Sequence, residues 1–225
     1  MMINRILRHQ IGKISIVRYL YCKFLDLRMS YKKRNEQNFF IKVGDDVVSK
    51  VQKTLSQTSK VFFFDMGTLL GIYRDGRLLK RDMDIDVGVQ ISSSSDIDEI
   101  RSVLSSNNFI HKFIFSTDIH GVIQDTFTCE GITVDISYYR QEGNQDYIYM
   151  IYNADDVLKM LCHHVKGVML YSFGKIMINV PENTDLYLTD RYGKDWKIPD
   201  PNYKYWEGPS VVKVEGHGIC EKLIS

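Results

Sequence analysis

Three aspartates occupy alternate positions in the stretch "RDMDIDVGV", residues 81–89. In a β-strand, residues i and i+2 share one face and lie about 6.6–7 Å apart. If 84–89 is a strand, Asp84 and Asp86 point to the same side, while Ile85 and Val87 point into the core. Two carboxylates fixed on one face repel each other, so the pattern predicts a cation between them. Mg²⁺ or Mn²⁺ fits, since these cations take one or two carboxylates and complete their shell with phosphate oxygens and water.

The residues in front of this strand have the character of a phosphate site. A nearly all-apolar run at 60–67 predicts a buried strand, and a helical turn is expected at 68–74. Gly67 and Thr68 would then offer free backbone N–H groups and the positive end of a helix dipole, with no side chain at Gly67 to block close approach. Cations that can screen phosphate charge follow in and beside the loop 75–83: Arg74, Arg77, Lys80 and Arg81.

The other elements are predicted from hydrophobic period and turn residues. Further helices are expected at 3–30, at 36–58, after the serines of 92–96 to about 106, at 154–170, and at 184–192 between Asn183 and Gly193. Further strands are expected at 109–116, 121–129, 131–140, 146–152 and 174–181. The chain after Trp196 is rich in proline and aromatic residues and is interpreted as a tail on the surface. The pattern predicts an α+β (α/β) protein.

Charge is distributed unevenly along the 225 residues, although the net charge is only +1. Residues 1–34 contain nine Lys or Arg and one Asp, so this arm carries +8 and the remainder −7. Apolar residues recur between the cations, which predicts a basic amphipathic helix that lies on a membrane surface or packs on the protein. A polyanion, membrane or nucleic acid, is the partner that such an arm indicates, and a solvated helix face is the competing interpretation.

Cysteine spacing and hydropathy indicate the compartment. The four cysteines are far apart, with no C-x-x-C pair, which argues against a zinc ribbon or a disulfide framework and favours a reducing compartment. No apolar run approaches the roughly 18 residues of a spanning helix, and charges interrupt the N-terminus too often for a signal peptide. We therefore expect a cytoplasmic protein, peripheral at the inner face of the membrane.

The string "GTLLGIYRDGRLLKRDMDIDVGV" (67–89) resembles the motif of the LicD/fukutin family, which runs GTLLG, an Arg, then a D-D-D-I-D cluster. A second segment, "LYLTDRYGKDWKIP" (186–199), is similar to the YG-x-W-x-x-P segment near the C-terminus of that family. The resemblance covers roughly residues 60–200. One position departs from it, since Met83 replaces the middle acid of the triplet; facing away from Asp84 and Asp86, it should leave metal binding intact.

The resemblance implies a nucleotidyltransferase fold of the polymerase-β type, with a mixed β-sheet flanked by helices. It divides the chain into a basic helical arm (1–34), a catalytic domain (35–200) and a C-terminal tail (201–225). Members of this fold use a third carboxylate on a later strand, which points to Asp135 in "ITVDISYY" (132–139) as a metal ligand or general base.

The predicted helix 154–170 carries three further polar residues of interest. Lys166 is a candidate phosphate contact. His163 and His164 are adjacent, so they point about 100° apart, and we expect one in the core and one at the surface.

The resemblance implies transfer of a phosphorylated alcohol, such as phosphocholine, ribitol phosphate or glycerol phosphate, from a CDP-activated donor to a sugar hydroxyl, with release of CMP. The expected acceptor is a precursor of a capsular or other surface glycan, carried on a membrane lipid. The arm would then meet an anionic membrane surface, and no nucleic acid is expected as a partner.

Three alternatives remain open from the residues alone. A nucleotidyltransferase of the same fold would use an NTP and release pyrophosphate. A D-x-D glycosyltransferase usually has a full nucleotide-binding half before its motif, whereas about 50 residues precede it here once the arm is removed. A non-catalytic nucleotide-binding module would have no need of intact Asp84, Asp86 and Asp135.

Overall fold

The elements that carry the aspartates are a short buried strand, a helix and a second strand that follow one another along the chain. The structure is a computed structural model that describes residues 15–152 and 156–223. The helices are α1 (Ser15–Leu55), α2 (Met66–Asp75), α3 (Ser94–Ser106) and α4 (Thr184–Tyr192). The strands are β1 (Phe62–Phe64), β2 (Asp84–Gln90), β3 (Ile110–Thr117), β4 (Gly121–Cys129), β5 (Ile132–Glu142), β6 (Gln145–Tyr152), β7 (Asp156–His163), β8 (Val168–Phe173), β9 (Ile176–Pro181), β10 (Val211–Val214) and β11 (Gly218–Lys222).

A mixed sheet of nine strands organises the described part of the chain. Its long path runs β10-β7-β6-β5-β4-β3-β11, and β8 and β9 form a separate pair. Strand β5 branches: up to Tyr139 it pairs in parallel with β2, and from Arg140 it pairs antiparallel with β6. Strand β1 pairs antiparallel with the other edge of β2. The expected class, a mixed sheet with helices, is confirmed.

The core lies between the sheet and the helices. On the inward face of β2, Ile85 and Val87 are at most 1% exposed. They belong to one hydrophobic cluster with the second half of α1 and with α3. Apolar residues of α1 recur at helical spacing and are fully buried there: Val47, Val48, Val51 and Leu55. The outward face of β2 is thereby left for Asp84 and Asp86.

The first two predicted helices are a single element. Helix α1 is continuous from Ser15 to Leu55, with no break between 30 and 36 and with its end before 58. Neither glycine nor proline occurs between 30 and 36, so nothing in the backbone interrupts the helix there. The start of the predicted helix, up to residue 14, lies outside the described residues. The chain divides into two units, one up to Phe39 and one from Phe40 onward.

The helix predicted at 154–170 is wrong. Strand β7 covers 156–163, and β8 begins at Val168. Leucine, lysine and methionine favour helices, but partners on both sides overrode that preference. Strand β7 pairs along its whole length with β6 and is flanked on its other edge by β10. Alternate residues on one face of β7 are buried: Leu158, Met160 and Cys162.

The C-terminal segment forms part of the sheet instead of a plain surface tail. Strand β10 extends the sheet beyond β7, and β11 extends it beyond β3. The other elements occur where they were predicted, within a few residues. Among the described helices, none combines the length and the apolar character that crossing a membrane requires.

Candidate active site

Asp84 and Asp86 lie side by side on the outward face of β2, as the two-residue period predicted. The backbone of β2 is held at this point from two sides. The N–H of Asp86 donates to Thr68 Oγ1 at 2.9 Å. The N–H of Asp65 donates to the carbonyl oxygen of Asp86 at 3.0 Å. The position of the Asp86 carboxylate is therefore tied to the start of α2.

Asp135 completes a group of three carboxylates. In the parallel β2–β5 pair its Cα lies opposite that of Asp86. One carboxylate oxygen each of Asp84, Asp86 and Asp135 lie within 4.8 Å of one another. Thr126 on β4 donates its hydroxyl to Asp135 Oδ1 at 2.5 Å. Thr126 and Gln124, both on β4, partly offset the burial that raises the pKa of Asp135.

The ionised forms of the three clustered carboxyl groups are destabilised by burial and by one another. Burial, followed by the charge of Asp84, raises the pKa of Asp86 well above its ordinary value. Burial also raises the pKa of Asp135 to about 6 and that of Asp84 in the same direction. Each shift means that the fold disfavours the ionised form. A cation held between the three groups would relieve that cost.

The cluster fits a hard divalent cation. All three donors are carboxylate oxygens, which Mg²⁺ and Mn²⁺ prefer over nitrogen or sulfur. Within the described residues, this is the one group of three or more His, Cys, Asp or Glu side chains that lie close enough to hold a single metal ion. Asp84, Asp86 and Asp135 are thus the residues that could hold such an ion.

Asp82 is a fourth acid at this site that the site assignment from sequence omitted. Burial, followed by the charge of Asp84, raises the pKa of Asp82 to about 6. Its Oδ2 is buried and has no hydrogen-bond partner among the described residues. The carboxylate lies so close over Gly67 that a Cβ at that position would collide with it. The alternate spacing of Asp82 with Asp84 and Asp86 was the sequence signal that could have added Asp82 to the predicted site. Met83, between these acids, is 40% exposed.

Helix α2 begins beside the carboxylates. Its N-cap is Asp65, whose side chain accepts from the backbone N–H of Met66 at 2.6 Å. Gly67 lines the cavity above the carboxylates, and the Asp82 carboxylate lies over it. Thr68 is 1% exposed, and its hydroxyl oxygen accepts the hydrogen bond from the backbone N–H of Asp86 instead of facing the cavity. The structure thus gives Thr68 a role in supporting β2.

A cavity of about 1420 Å³ opens over the carboxylates. One side is cationic and contains all four predicted loop cations: Arg74, Arg77, Lys80 and Arg81. Arg74 is bound to Asp75 at 2.7 Å and to the carbonyl of Trp196 at 3.3 Å. Among the described residues, no ion pair is formed by Arg77 or Lys80. These two side chains are the ones that can turn to an incoming anion.

The other walls of the cavity include residues that sequence reasoning missed. Strands β3, β4 and β6 contribute an apolar surface made of Phe115, Ile123, Met150 and Ile151. The end of α4 contributes Tyr192, and the segment after it contributes Trp196, Pro201, Tyr203 and Tyr205. The aromatic residues after Trp196 are the available signal, although composition alone predicts a surface tail there.

Three predicted candidates lie away from the cavity. Lys166 is in the segment between β7 and β8 and does not line the described cavity. The ring of His163 is exposed and contacts Asp190 at 2.8 Å, and that of His164 contacts the buried Asp146 at 2.8 Å. Both histidines therefore make local contacts at the C-terminal end of β7.

The chain is similar to curated proteins of known name. "Ribitol-5-phosphate transferase FKTN" of Macaca fascicularis is 23% identical over 228 residues, covering 92% of this chain and 46% of that protein. The Homo sapiens protein of the same name is 22% identical with the same coverage. The chain thus spans about half the length of the curated relatives it matches.

A solved structure and a family model also match. The solved structure, "Crystal Structure of ANT(2")-Ia in complex with adenylyl-2"-tobramycin", aligns with a TM-score of 0.40 and 11% identity, over 71% of this chain and 80% of that one. The family model, "LicD/FKTN/FKRP, nucleotidyltransferase domain", matches residues 60–183, which include β1, β2, β5 and all three clustered aspartates. The chain therefore belongs to the LicD/FKTN/FKRP family.

Proposed function

We propose that this protein transfers a phosphorylated alcohol from a CDP-activated donor to a sugar hydroxyl and releases CMP. The observation that carries the proposal is the cluster of Asp84, Asp86 and Asp135 within 4.8 Å, beside a cationic wall of the same cavity. The alcohol is of the ribitol phosphate, glycerol phosphate or phosphocholine type. Relatives named ribitol-5-phosphate transferase favour the first of these. The proposal includes a catalytic core of the nucleotidyltransferase type.

Mg²⁺ or Mn²⁺ is the proposed cofactor, with Asp84, Asp86 and Asp135 as its ligands. When bound, a divalent cation supplies charge neutralisation for the donor diphosphate and the departing nucleotide. The protein supports this role with an all-oxygen donor set whose ionised form is disfavoured without a cation.

The protein's own groups bind and orient the donor. The first turn of α2 offers backbone N–H groups beside Gly67, and a diphosphate that binds them has to displace the Asp82 carboxylate, which lies over Gly67. Arg77 and Lys80 can swing onto the outer oxygens of the diphosphate, whereas Arg74 and Arg81 are tied to carbonyls of the C-terminal wall. Such positioning accounts for most of the catalysis in phosphoryl transfer.

Asp135 is the proposed acceptor of the proton that the sugar hydroxyl loses. As that oxygen bonds to the phosphorus bearing the alcohol, the bond from this phosphorus to the CMP oxygen breaks. The hydroxyl proton passes to Asp135, and CMP leaves with the electron pair. The hydrogen bond from Thr126 holds the Asp135 carboxylate in place for this transfer.

The cavity has room for both substrates. Its volume of about 1420 Å³ exceeds the roughly 300–1,000 Å³ of ordinary small-molecule sites. We assign the cationic side to the donor and the side lined by Phe115, Ile123 and Met150 to the acceptor. An apolar surface there suits a surface or capsular glycan precursor attached to a lipid. The nucleotide product released from a CDP-alcohol tests the proposed function.

We further propose that residues 1–34 bind an anionic membrane surface from the cytoplasmic side. Each Lys or Arg near acidic headgroups contributes about 1 kcal/mol, and this arm contains nine of them. The full chain is expected to sediment with phosphatidylserine vesicles at low salt and to be released at high salt. A variant with Lys32, Lys33 and Arg34 changed to Glu should bind markedly less. The proposed role of the arm would be refuted if the sedimented fraction did not change with salt, with lipid charge or with the three substitutions to Glu.

A further inference from the structure

Four buried polar side chains form a hydrogen-bonded group directly behind the carboxylate cluster. Asp65 precedes α2, Tyr139 is on β5, and Tyr187 and Arg191 are on α4; we call this group the Asp65 network. All four are at most 1% exposed. Tyr139 donates its hydroxyl to Asp65 Oδ2 at 2.6 Å, and Tyr187 donates to Asp65 Oδ1.

Arg191 reaches Asp65 only through the two tyrosines. Its Nε donates to the Tyr187 hydroxyl at 3.3 Å, and its Nη2 donates to the hydroxyls of both Tyr187 and Tyr139. Its Nη1 is buried without a hydrogen-bond partner among the described residues. A buried charge pair of this kind adds little to stability compared with apolar packing. Stability alone therefore does not account for placing these groups here.

On one side the Asp65 network is bonded to the residues of the site. The Asp65 carboxylate caps α2 at Met66, and the Asp65 N–H is bonded to the carbonyl of Asp86. The Tyr139 ring also lies against β2 two residues beyond Asp86, since a Cβ on Gly88 would be 2.7 Å from it. Any shift of Asp65 would thus move both the first turn of α2 and the backbone of Asp86.

On the other side the Asp65 network reaches the C-terminal wall of the cavity. Tyr203 donates its hydroxyl to the carbonyl oxygen of Arg191 at 2.8 Å. Tyr203 and Tyr192, the residue after Arg191, both line the cavity. The network therefore connects the wall formed by residues 192–205 to the strand that carries the carboxylates.

We propose that Asp65, Tyr139, Tyr187 and Arg191 are positioning residues that hold Asp86 and the start of α2 in the arrangement that binds a divalent cation and phosphate. This inference rests on the proposed function, because it assigns the cation to Asp84, Asp86 and Asp135. Substitutions behind metal ligands commonly weaken metal binding about 10–100-fold. The Asp65 network acts through backbone, so we expect an effect near the lower end of that range.

The test measures Mn²⁺ binding to the full chain, with free Mn²⁺ detected by electron paramagnetic resonance. The melting temperature of each metal-free protein is measured alongside. The variants are Tyr139→Phe and Tyr187→Phe, each of which removes one hydroxyl from the Asp65 network. Tyr138→Phe is the matched control. Tyr138 is equally buried on the same strand, and its hydroxyl donates to a different aspartate, Asp125, at 2.6 Å.

We expect the two network variants to bind Mn²⁺ about tenfold more weakly than the wild type. Tyr138→Phe should lower the melting temperature to a similar degree and leave the Mn²⁺ dissociation constant within about twofold. Network variants that melt lower but bind Mn²⁺ like the wild type would reduce the network to a structural role and overturn the proposal. Absence of Mn²⁺ binding in the wild type would refute the metal site itself, and with it both this proposal and the proposed function.

Discussion

Asp84→Asn and Asp86→Asn are each expected to lower turnover by at least about a thousandfold, equivalent to ~4 kcal/mol of transition-state stabilisation. Asparagine keeps the shape of the side chain and removes the charge that a divalent cation needs. Both side chains belong to the group whose oxygens lie within 4.8 Å of one another, so losing either breaks the proposed metal site. Turnover is measured with a CDP-alcohol at saturating Mg²⁺.

These variants should remain folded. Burial and neighbouring carboxylates raise the pKa of Asp86, so its ionisation costs stability as the pH rises through the folded value. Without metal at pH 7.5, Asp86→Asn should therefore melt no lower than the wild type. Asp98→Asn is the control, because its exposed side chain lies on α3. Near wild-type turnover by Asp84→Asn or Asp86→Asn at saturating metal would remove the basis of the site assignment.

Asp135→Asn is expected to lower turnover about 10²–10⁴-fold, the usual contribution of a general base. Donor binding should weaken much less, because Asp84 and Asp86 remain on β2 and the cationic side of the cavity is unchanged. The two effects are separated by measuring turnover at saturating donor and, independently, the dissociation constant of CDP. If donor binding collapses while turnover at saturating donor survives, Asp135 acts only as a ligand of the metal, and its proposed second role as the base is wrong.

The carboxylate strand could be predicted from local pattern alone. Alternation within "DIDVGV" places Ile85 and Val87 in the core and leaves Asp84 and Asp86 outside, and the structure has this arrangement. Asp135 needed more than pattern. It is a single acid in a β-run, and only the family resemblance pointed to it before the β2–β5 register placed it opposite Asp86.

Strand β7 could not be predicted from the local sequence, because its residues favour a helix and the segment folds as a strand. Leu158, Lys159 and Met160 favour a helix, and the strand exists through pairing with β6 and β10. The β10 partner comes from a segment about 50 residues further along the chain, which period and propensity do not register. The same error placed Lys166 on a helix and made it a phosphate candidate.

The Asp65 network was hidden for a related reason. Asp65 follows an apolar strand and Arg191 lies in a short polar helix, so each looks ordinary in its own window. The Tyr187–Asp65 hydrogen bond joins residues 122 positions apart, and the Tyr139–Asp65 bond joins residues 74 apart. Only the packing of α4 against β5 and β1 makes these side chains neighbours.

The central claim is tested most directly by the nucleotide product. The protein is incubated with CDP-ribitol, a sugar acceptor and Mg²⁺ or Mn²⁺, and in parallel with each of the four NTPs. Attack at the phosphorus bearing the alcohol gives CMP and a phosphodiester-linked product, whereas attack at the α-phosphorus of an NTP gives pyrophosphate. We predict metal-dependent CMP release that chelation abolishes, with no pyrophosphate from any NTP. Metal-dependent pyrophosphate release coupled to an acceptor, with CDP-alcohols inert, would contradict the account and favour an NTP-dependent nucleotidyltransferase.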